Sequence, residues 1–208
     1  TSGRLADTIA VKYEDYPSSA NFGNKDVDVY AEEIYVGYRY FETFAKDKVI
    51  YPFGFGLSYS EFKIKYINTT AGEDGLEVDV SVKNTGSRPA KEVVQLYVEK
   101  PNGVLGTPER ELVAFAKTRE LKPKGTQKLR LFVSPYQLTV YDDCGDTGFP
   151  FAYVTQEGEY RLYLGKNGQR RDSAADTPLQ STGPSRSFVR QRHLHPERQE
   201  SSEITKSA

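Results

Sequence analysis

The sequence predicts a mainly β protein built around an antiparallel β-sandwich. From Phe62 onward, short segments alternate apolar and polar residues with period two, and turn signals rich in Gly, Pro, Asn or Asp separate them. Seven or eight such segments fit into about 105 residues, the count and spacing of an immunoglobulin-like or fibronectin type III-like sandwich. The fibronectin-like version is favoured because the chain has one cysteine and no tryptophan, whereas antibody domains pack a tryptophan against a cysteine pair.

The predicted strands are FKIKYIN, LEVDVSVKN, EVVQLYVEK, ELVAFAKTREL, QKLRLFVS, QLTVYDD, FAYVTQ and EYRLYLGK. Because side chains of a strand alternate between its two faces, the apolar members of these segments are expected to share one buried face. Three rows of residues should form the core: Val78, Val80 and Val82; Val94, Leu96 and Val98; and Leu129 and Leu131.

The chain divides into three parts at 1–60, 61–167 and 168–208. The first part does not resemble an independent domain, since its apolar residues form short irregular clusters that need a partner. Within it, YAEEIYVGYRYFETF is expected to begin as a helical turn and then run extended through Ile34–Tyr40. The second part is the sandwich. The third is rich in Ser, Gln, Arg and Pro and is predicted to be a disordered polar tail, because it has too little apolar surface to bury.

The charge balance disfavours nucleic acid and membrane surfaces as partners. The chain carries 28 basic and 29 acidic residues, so no electrostatic footprint for a polyanion stands out. No apolar run approaches the roughly 20 residues of a membrane-spanning helix, and no signal peptide is visible in the given sequence. The single cysteine excludes an internal disulfide framework and slightly favours a cytoplasmic location, although localisation stays open.

The sequence predicts no catalytic residue, no cofactor and no metal site. His193 and His195 lie in the polar tail without a third ligand, and Cys144 lacks a histidine base in the folded part. No Gly-x-Ser-x-Gly, GxGxxG or Walker motif is present. Three groups of neighbouring acids are interpreted as solvated loop charge rather than a glycosidase pair: Glu32 and Glu33; Asp26 and Asp28; and Asp142, Asp143 and Asp146.

The segment YPFGFGLSYS, residues 51–60, interleaves aromatic rings with glycines. Bulky rings favour burial, while glycine permits positive φ or close backbone approach, so the segment is predicted to be a packed corner. An aromatic platform for a sugar or base is the functional alternative. The candidate interface residues are Tyr51, Phe53, Gly54, Phe55, Gly56, Leu57 and Tyr59, and the five side chains other than glycine are expected to be buried against both of the parts that the corner joins.

Two separated stretches, VYAEEIYVGYRYFE and YPFGFGLSYSEF, resemble the end of the α/β sandwich domain of glycoside hydrolase family 3, the β-glucosidase family. TSGRLADTIA is similar to an earlier stretch that closes the same domain. Downstream, VSVKNTGSRPAKEVVQLYVEKPNG, PERELVAFAKTREL and YDDCGDTGFPFAYVTQEGEYRLYLG resemble the fibronectin type III-like domain that follows it. The resemblance covers about residues 1–167, and the matching order of the motifs makes it specific.

The resemblance implies a fragment of a β-glucosidase. Family members take an aspartate nucleophile from a barrel domain and a glutamate acid/base from an earlier part of the α/β sandwich domain, and this sequence matches neither. It implies that the intact enzyme hydrolyses terminal β-linked sugars with retention. Its implied partners are the barrel and α/β sandwich domains of the same enzyme, with YPFGFGLSYS as the corner between domains. In some members the barrel follows the fibronectin-like domain, so the position of the barrel stays open.

Two other functions remain as alternatives. A stand-alone carbohydrate-binding or adhesion sandwich would use tyrosines such as Tyr136, Tyr141 and Tyr163 to stack on sugar faces. Packing of these three rings within the sandwich is favoured over that use. The other alternative is a purely structural docking module that steadies neighbouring domains.

Overall fold

The computed structural model describes residues 3–27, 29–166 and 178–180. In this part of the chain, one α-helix, α1, spans Tyr38–Phe44, and short 3₁₀-helices span Tyr13–Asp15, Pro17–Ala20, Glu33–Tyr35, Lys46–Lys48 and Pro135–Leu138. The strands are β1 (Ile9–Ala10), β2 (Val49–Tyr51), β3 (Phe62–Gly72), β4 (Gly75–Asn84), β5 (Val93–Glu99), β6 (Glu111–Lys117), β7 (Thr126–Val133), β8 (Val140–Asp142), β9 (Ala152–Val154), β10 (Glu159–Gly165) and β11 (Pro178–Gln180).

Two antiparallel sheets form the sandwich. One has the strand order β3-β4-β7 and the other β11-β10-β5-β6. Each sheet therefore has one of the long valine-rich strands, β4 or β5, between two neighbours, where backbone groups on both edges are hydrogen-bonded. The predicted fold class, a mainly β chain with a fibronectin type III-like sandwich, is confirmed.

The core lies between the two sheets and follows the predicted alternation. Val78, Val80 and Val82 on β4 and their counterparts on β5 are completely buried, while Leu131 on β7 is nearly so. Tyr160, Leu162 and Leu164 close the core from β10. Since full burial of an aliphatic side chain contributes about 1.5–3 kcal/mol, these rows are the main source of stability in the sandwich.

The predicted tail, 168–208, lies outside the described residues except for Pro178–Gln180. These three form β11, which pairs antiparallel with β10 and adds a seventh strand to the two sheets. The predicted disorder of the other residues and the predicted domain boundaries stay predictions. The histidines His193 and His195 also lie outside the described residues.

The N-terminal segment, residues 3–60, has little regular structure. β1 and β2 form a separate antiparallel pair, and α1 packs on it through Phe41, together with Ala45 directly after the helix. The expectation of an extended run through Ile34–Tyr40 is wrong, because Glu33–Tyr35 is a 3₁₀ turn and α1 begins at Tyr38. The helix is favoured since Phe41 and Ala45, four residues apart, bury one face together, whereas an extended chain would separate them.

Candidate functional site

The candidate site is the junction, here defined as the corner 51–60 with the parts of α1, β5 and β6 that it contacts. Phe53 stacks on Tyr38 of α1 with ring centroids 4.4 Å apart. Tyr38 lies edge-on to the buried Tyr97 of β5 at 6.4 Å, and its hydroxyl accepts a 2.8 Å hydrogen bond from the Leu112 backbone N–H on β6. The three rings therefore connect the N-terminal segment to the second sheet.

Both glycines of the corner lie where a side chain has no room. Gly54 has a φ of +77°, and a Cβ there would come within 2.3 Å of the Gln95 side chain. A Cβ on Gly56 would lie 2.2 Å from the Gly3 carbonyl oxygen. The Gly54 N–H donates to the Leu5 carbonyl at 2.8 Å, so the corner is hydrogen-bonded to the start of the described chain. The interpretation of these glycines as positions of close backbone approach agrees with this geometry.

The rings of the corner differ in burial. Phe53 and Phe55 are half-buried, and Phe55 lies 5.0 Å from the Tyr51 ring. Tyr51, Leu57 and Tyr59 are 45, 76 and 72% exposed within the described residues, whereas Gly54 lies against Gln95 of the sandwich. The expected burial of these three side chains against a second domain stays a prediction. The assignment of all seven residues to a domain interface stays a prediction.

Ion pairs across the junction were not predicted from the sequence. Arg4 pairs with Glu92, which is 3% exposed, just before β5, and Lys46 Nζ lies 2.5 Å from Glu109 Oε1. The Glu109 backbone N–H also donates to Thr43 Oγ1 at 3.0 Å. No sequence signal could have found these pairs, since their members lie 63 to 88 residues apart.

A further charged group lies between α1 and the sandwich. Glu111 on β6 accepts from Arg39 at 3.4 Å and from Lys100 at 3.1 Å, and Lys100 Nζ also donates to the Thr139 carbonyl at 2.7 Å. Burial lowers the pKa of Lys100, and burial raises the pKa of Glu42 on α1. A desolvated charge is costly without its partner. Such pairs therefore fix the relative position of the two packed parts, but they add little to the free energy of unfolding.

The acidic residues singled out in the sequence lie in different surroundings. Glu32 accepts a hydrogen bond from Ser18 Oγ at 2.8 Å. Asp28 falls outside the described residues. No group of three or more His, Cys, Asp or Glu side chains among the described residues is arranged to hold a metal ion, and Cys144 is an exposed free thiol.

Asp142 differs from the expected solvated loop charge. Its carboxylate is buried and accepts hydrogen bonds from the backbone N–H groups of Gly145, Asp146 and Thr147 at 2.6 to 3.1 Å and from Thr147 Oγ1. The Thr147 hydroxyl and these N–H groups hold the pKa of Asp142 below its ordinary value of 3.8. The carboxylate therefore organises the loop between β8 and β9 rather than performing chemistry.

We expect Asp142→Asn to remove part of the acid sensitivity of the fold. A carboxylate whose folded-state pKa is lowered stabilises the fold fully above its unfolded value, here 3.8, and loses that stabilisation as the pH falls through the folded-state pKa. The wild-type melting temperature should thus fall more between pH 6 and pH 2.5 than that of the variant. Asp146→Asn, at an exposed side chain, is the control. Equal falls for wild type and Asp142→Asn would contradict the assignment.

The three tyrosines of the sugar-binding alternative do not share one environment. Tyr163 is half-buried on the face of β10 opposite to Leu162, where it donates to Glu99 and the Arg110 guanidinium lies 4.9 Å from the centroid of its ring. Tyr136 and Tyr141 are exposed, so packing within the sandwich is wrong for these two. Tyr141 lies on β8, and Tyr136 lies in the 3₁₀ turn before it. The short β8-β9 pair lies outside both main sheets.

Comparisons with known proteins agree with the strand topology and the motifs. A family model described as a fibronectin type III-like domain matches residues 92–168. The β-glucosidase of Ruminococcus albus is 48% identical over 180 residues, which are 86% of this chain and 19% of that protein. The solved structure of a β-glucosidase from Paenibacillus barengoltzii superposes with a TM-score of 0.81 at 49% identity, over 85% of this chain and 20% of that chain.

A third relative, β-glucosidase 3B of Thermotoga neapolitana solved in complex with α-D-glucose, gives a TM-score of 0.74 at 34% identity over 83% of this chain and 24% of that chain. The chain thus spans about a fifth to a quarter of the length of these relatives. In the part of the chain that is described, no helix is long and apolar enough to cross a membrane. Strand topology, motif order and these likenesses agree, and the chain belongs to glycoside hydrolase family 3.

Proposed function

We propose that this chain is the non-catalytic segment of a family 3 β-glucosidase, and that it docks onto the barrel and α/β sandwich domains and steadies them. The intact enzyme would hydrolyse terminal β-linked sugars by a retaining mechanism. This segment would contribute no catalytic acid, since a retaining glycosidase needs two carboxyl groups about 5 to 5.5 Å apart across a cleft. The barrel and the remainder of the α/β sandwich domain would supply both groups.

The distribution of exposed apolar side chains carries the proposal. Among the described residues, 15 of the 24 exposed large hydrophobic side chains lie between Leu5 and Tyr59, whereas the longer sandwich has only nine. A soluble domain rarely leaves so large an apolar surface uncovered, because exposing it to water costs free energy in proportion to its area. The N-terminal segment therefore presents a docking face, and the α/β sandwich domain of the same enzyme is the partner that fits it.

A stand-alone carbohydrate-binding module is not favoured. Such a module would be covered by its own polar surface, and its relatives would match it over their full length. Here the relatives are β-glucosidases of about five times the matched length. The apolar face between Leu5 and Tyr59 also has no role in an independent module.

The chain alone is expected to show no turnover of a nitrophenyl β-glucoside above the buffer rate, since its sequence matches neither the nucleophile motif nor the acid/base motif of the family. The measurement is release of nitrophenol at high protein concentration, with an intact family 3 enzyme as the positive control. Turnover at ordinary enzyme rates, about 1–1000 s⁻¹, would contradict the proposed absence of catalytic acids.

A chimera gives the positive test. The aligned segment of the Ruminococcus albus β-glucosidase is replaced by the corresponding residues of this chain, which are 48% identical to it. If this chain docks as proposed, the chimera should fold and hydrolyse the nitrophenyl glucoside, while a deletion of the same segment should not. A well-folded chimera without turnover would contradict the proposal.

A further inference from the structure

Five exposed aromatic side chains lie together in sequence on one projecting hairpin and the 3₁₀ turn before it. We call this set the hairpin surface: Tyr136, Tyr141, Phe149, Phe151 and Tyr153, each 44 to 76% exposed. β8 and β9 pair with each other and, among the described strands, with no other. The hairpin therefore presents its rings outside the sandwich core.

The hairpin surface is held in a defined shape. Tyr153 lies 4.7 Å from the Tyr136 ring and 4.9 Å from the Tyr141 ring. The loop beneath is fixed by the buried Asp142 carboxylate, and the Asp142 carbonyl accepts from the Phe151 N–H at 2.7 Å. A rigid set of rings loses little conformational entropy when it is covered, which is the property of an interface anchor.

Phe151 has a strained backbone. Its φ is +58°, a left-handed conformation that bulky side chains rarely adopt, and its ring is 76% exposed. Strain of this kind costs free energy and persists where surrounding structure enforces it. The hydrogen bond from the Phe151 N–H to the Asp142 carbonyl holds this conformation, so the Phe151 ring is kept on the outside of the loop.

The hairpin surface begins beside the junction. Lys100 donates to the carbonyl of Thr139, the residue before β8, and also pairs with Glu111. Glu111 in turn pairs with Arg39 of α1 at 3.4 Å. A short chain of contacts thus leads from the N-terminal segment to the base of the hairpin.

We propose that the hairpin surface is a second docking site for the catalytic part of the same β-glucosidase, adjacent to the N-terminal docking face. This inference rests on the proposed function. About four-fifths of the length of the matched relatives lies outside the aligned segment, which leaves ample surface to cover the hairpin. Residues 140–158 contain four acidic and no basic residues, so the facing patch should be apolar with Lys or Arg at its rim.

The test uses Phe149→Ser with Phe151→Asn in both the chimera and the isolated chain. Asn tolerates positive φ, so the loop keeps its conformation while both rings are lost. We expect the melting temperature of the isolated chain to stay unchanged, because the rings are exposed there. In the chimera, thermal inactivation should become about tenfold faster, since rings buried at an interface are lost.

The matched control is Phe115→Thr with Phe132→Thr. These phenylalanines are 70 and 50% exposed on β6 and β7, outside β8, β9 and the loop between them, and Thr keeps the preference for a strand. The control pair should leave the inactivation rate of the chimera within about twofold of the unmutated chimera. An equal effect of both pairs would overturn the assignment to the hairpin.

Three other outcomes would also overturn the inference. The hairpin pair could leave the chimera unaffected. The isolated chain could bind cello-oligosaccharides in calorimetric titration and lose that binding in the variant, which would make the hairpin a sugar site. The isolated chain could form a dimer that is lost in the variant, which would make a second copy of the chain the partner of the hairpin surface. An unmutated chimera that folds without turnover contradicts the proposed function instead. In that case the melting temperatures of the unmutated chimera and of the Phe149→Ser, Phe151→Asn chimera, measured by calorimetry, still test whether the hairpin surface is a docking site.

Discussion

Leu96→Ala is expected to lower the free energy of unfolding of the chain by about 3 to 4 kcal/mol. Leu96 is completely buried on β5, between Ala114 of β6 and Leu164 of β10. Truncation removes three carbon atoms from the centre of the core, and neighbours on two hydrogen-bonded strands cannot move in to fill the cavity. Urea unfolding followed by far-ultraviolet circular dichroism measures the change.

Leu57→Ala is the matched control for this experiment, because Leu57 is 76% exposed. In the isolated chain it should change the free energy of unfolding by no more than about 0.5 kcal/mol. A loss below about 1 kcal/mol for Leu96→Ala would show that the two sheets do not pack over a single core. In the chimera, by contrast, Leu57→Ala would test whether the exposed side of the corner docks onto another domain.

Gly54→Ala is expected to destabilise the junction by about 2 to 5 kcal/mol. A left-handed backbone costs a residue with a Cβ about 1 to 2 kcal/mol. The new methyl would also lie 2.3 Å from Gln95, which must move and so lose its 2.6 Å hydrogen bond from the Tyr97 hydroxyl. Losing a buried hydrogen bond adds about 1 to 3 kcal/mol. The urea midpoint should fall accordingly, and fluorescence of tyrosines at the junction should change with it.

Gly23→Ala separates the cost of the left-handed backbone from the cost of the contact with Gln95. Gly23 has a similar φ of +83°, but no atom lies within 4 Å of the position a Cβ would take. It should show only the backbone cost of about 1 to 2 kcal/mol. Equal effects at Gly23 and Gly54 would mean that close packing of the corner on β5 contributes nothing.

Much of the sandwich could be predicted from the sequence. Alternation in β4 and β5 depends only on the opposite orientation of successive side chains in a strand, so this pattern alone identifies the buried valines. The helix α1 could not be predicted in this way. Tyr38 and Tyr40 alternate with polar residues as in a strand, but burial of Phe41 against β1 and β2 favours a helix, and that contact involves residues distant in sequence.

The candidate site was predicted only in part. The corner 51–60 was identified because glycines beside rings signal close packing, and Gly54 does lie against Gln95 of the sandwich while Phe53 stacks on Tyr38 of α1. The sequence could not predict which rings of the corner are covered in this chain. Tyr51 and Tyr59 follow the same alternation as Phe53, yet both are exposed. The buried Asp142 was also missed, because its four donors meet it only once the loop closes.

The sequence by itself determined the class of fold, the motif order of a family 3 glycosidase and the lack of any recognisable catalytic motif. These features depend on local periodicity and on short contiguous motifs. Only the tertiary structure decided which side of the corner is buried, where the ion pairs between α1 and the second sheet form, and that an aromatic hairpin stands exposed beside them. Contacts between residues far apart in the chain set all three, and no local pattern encodes such contacts.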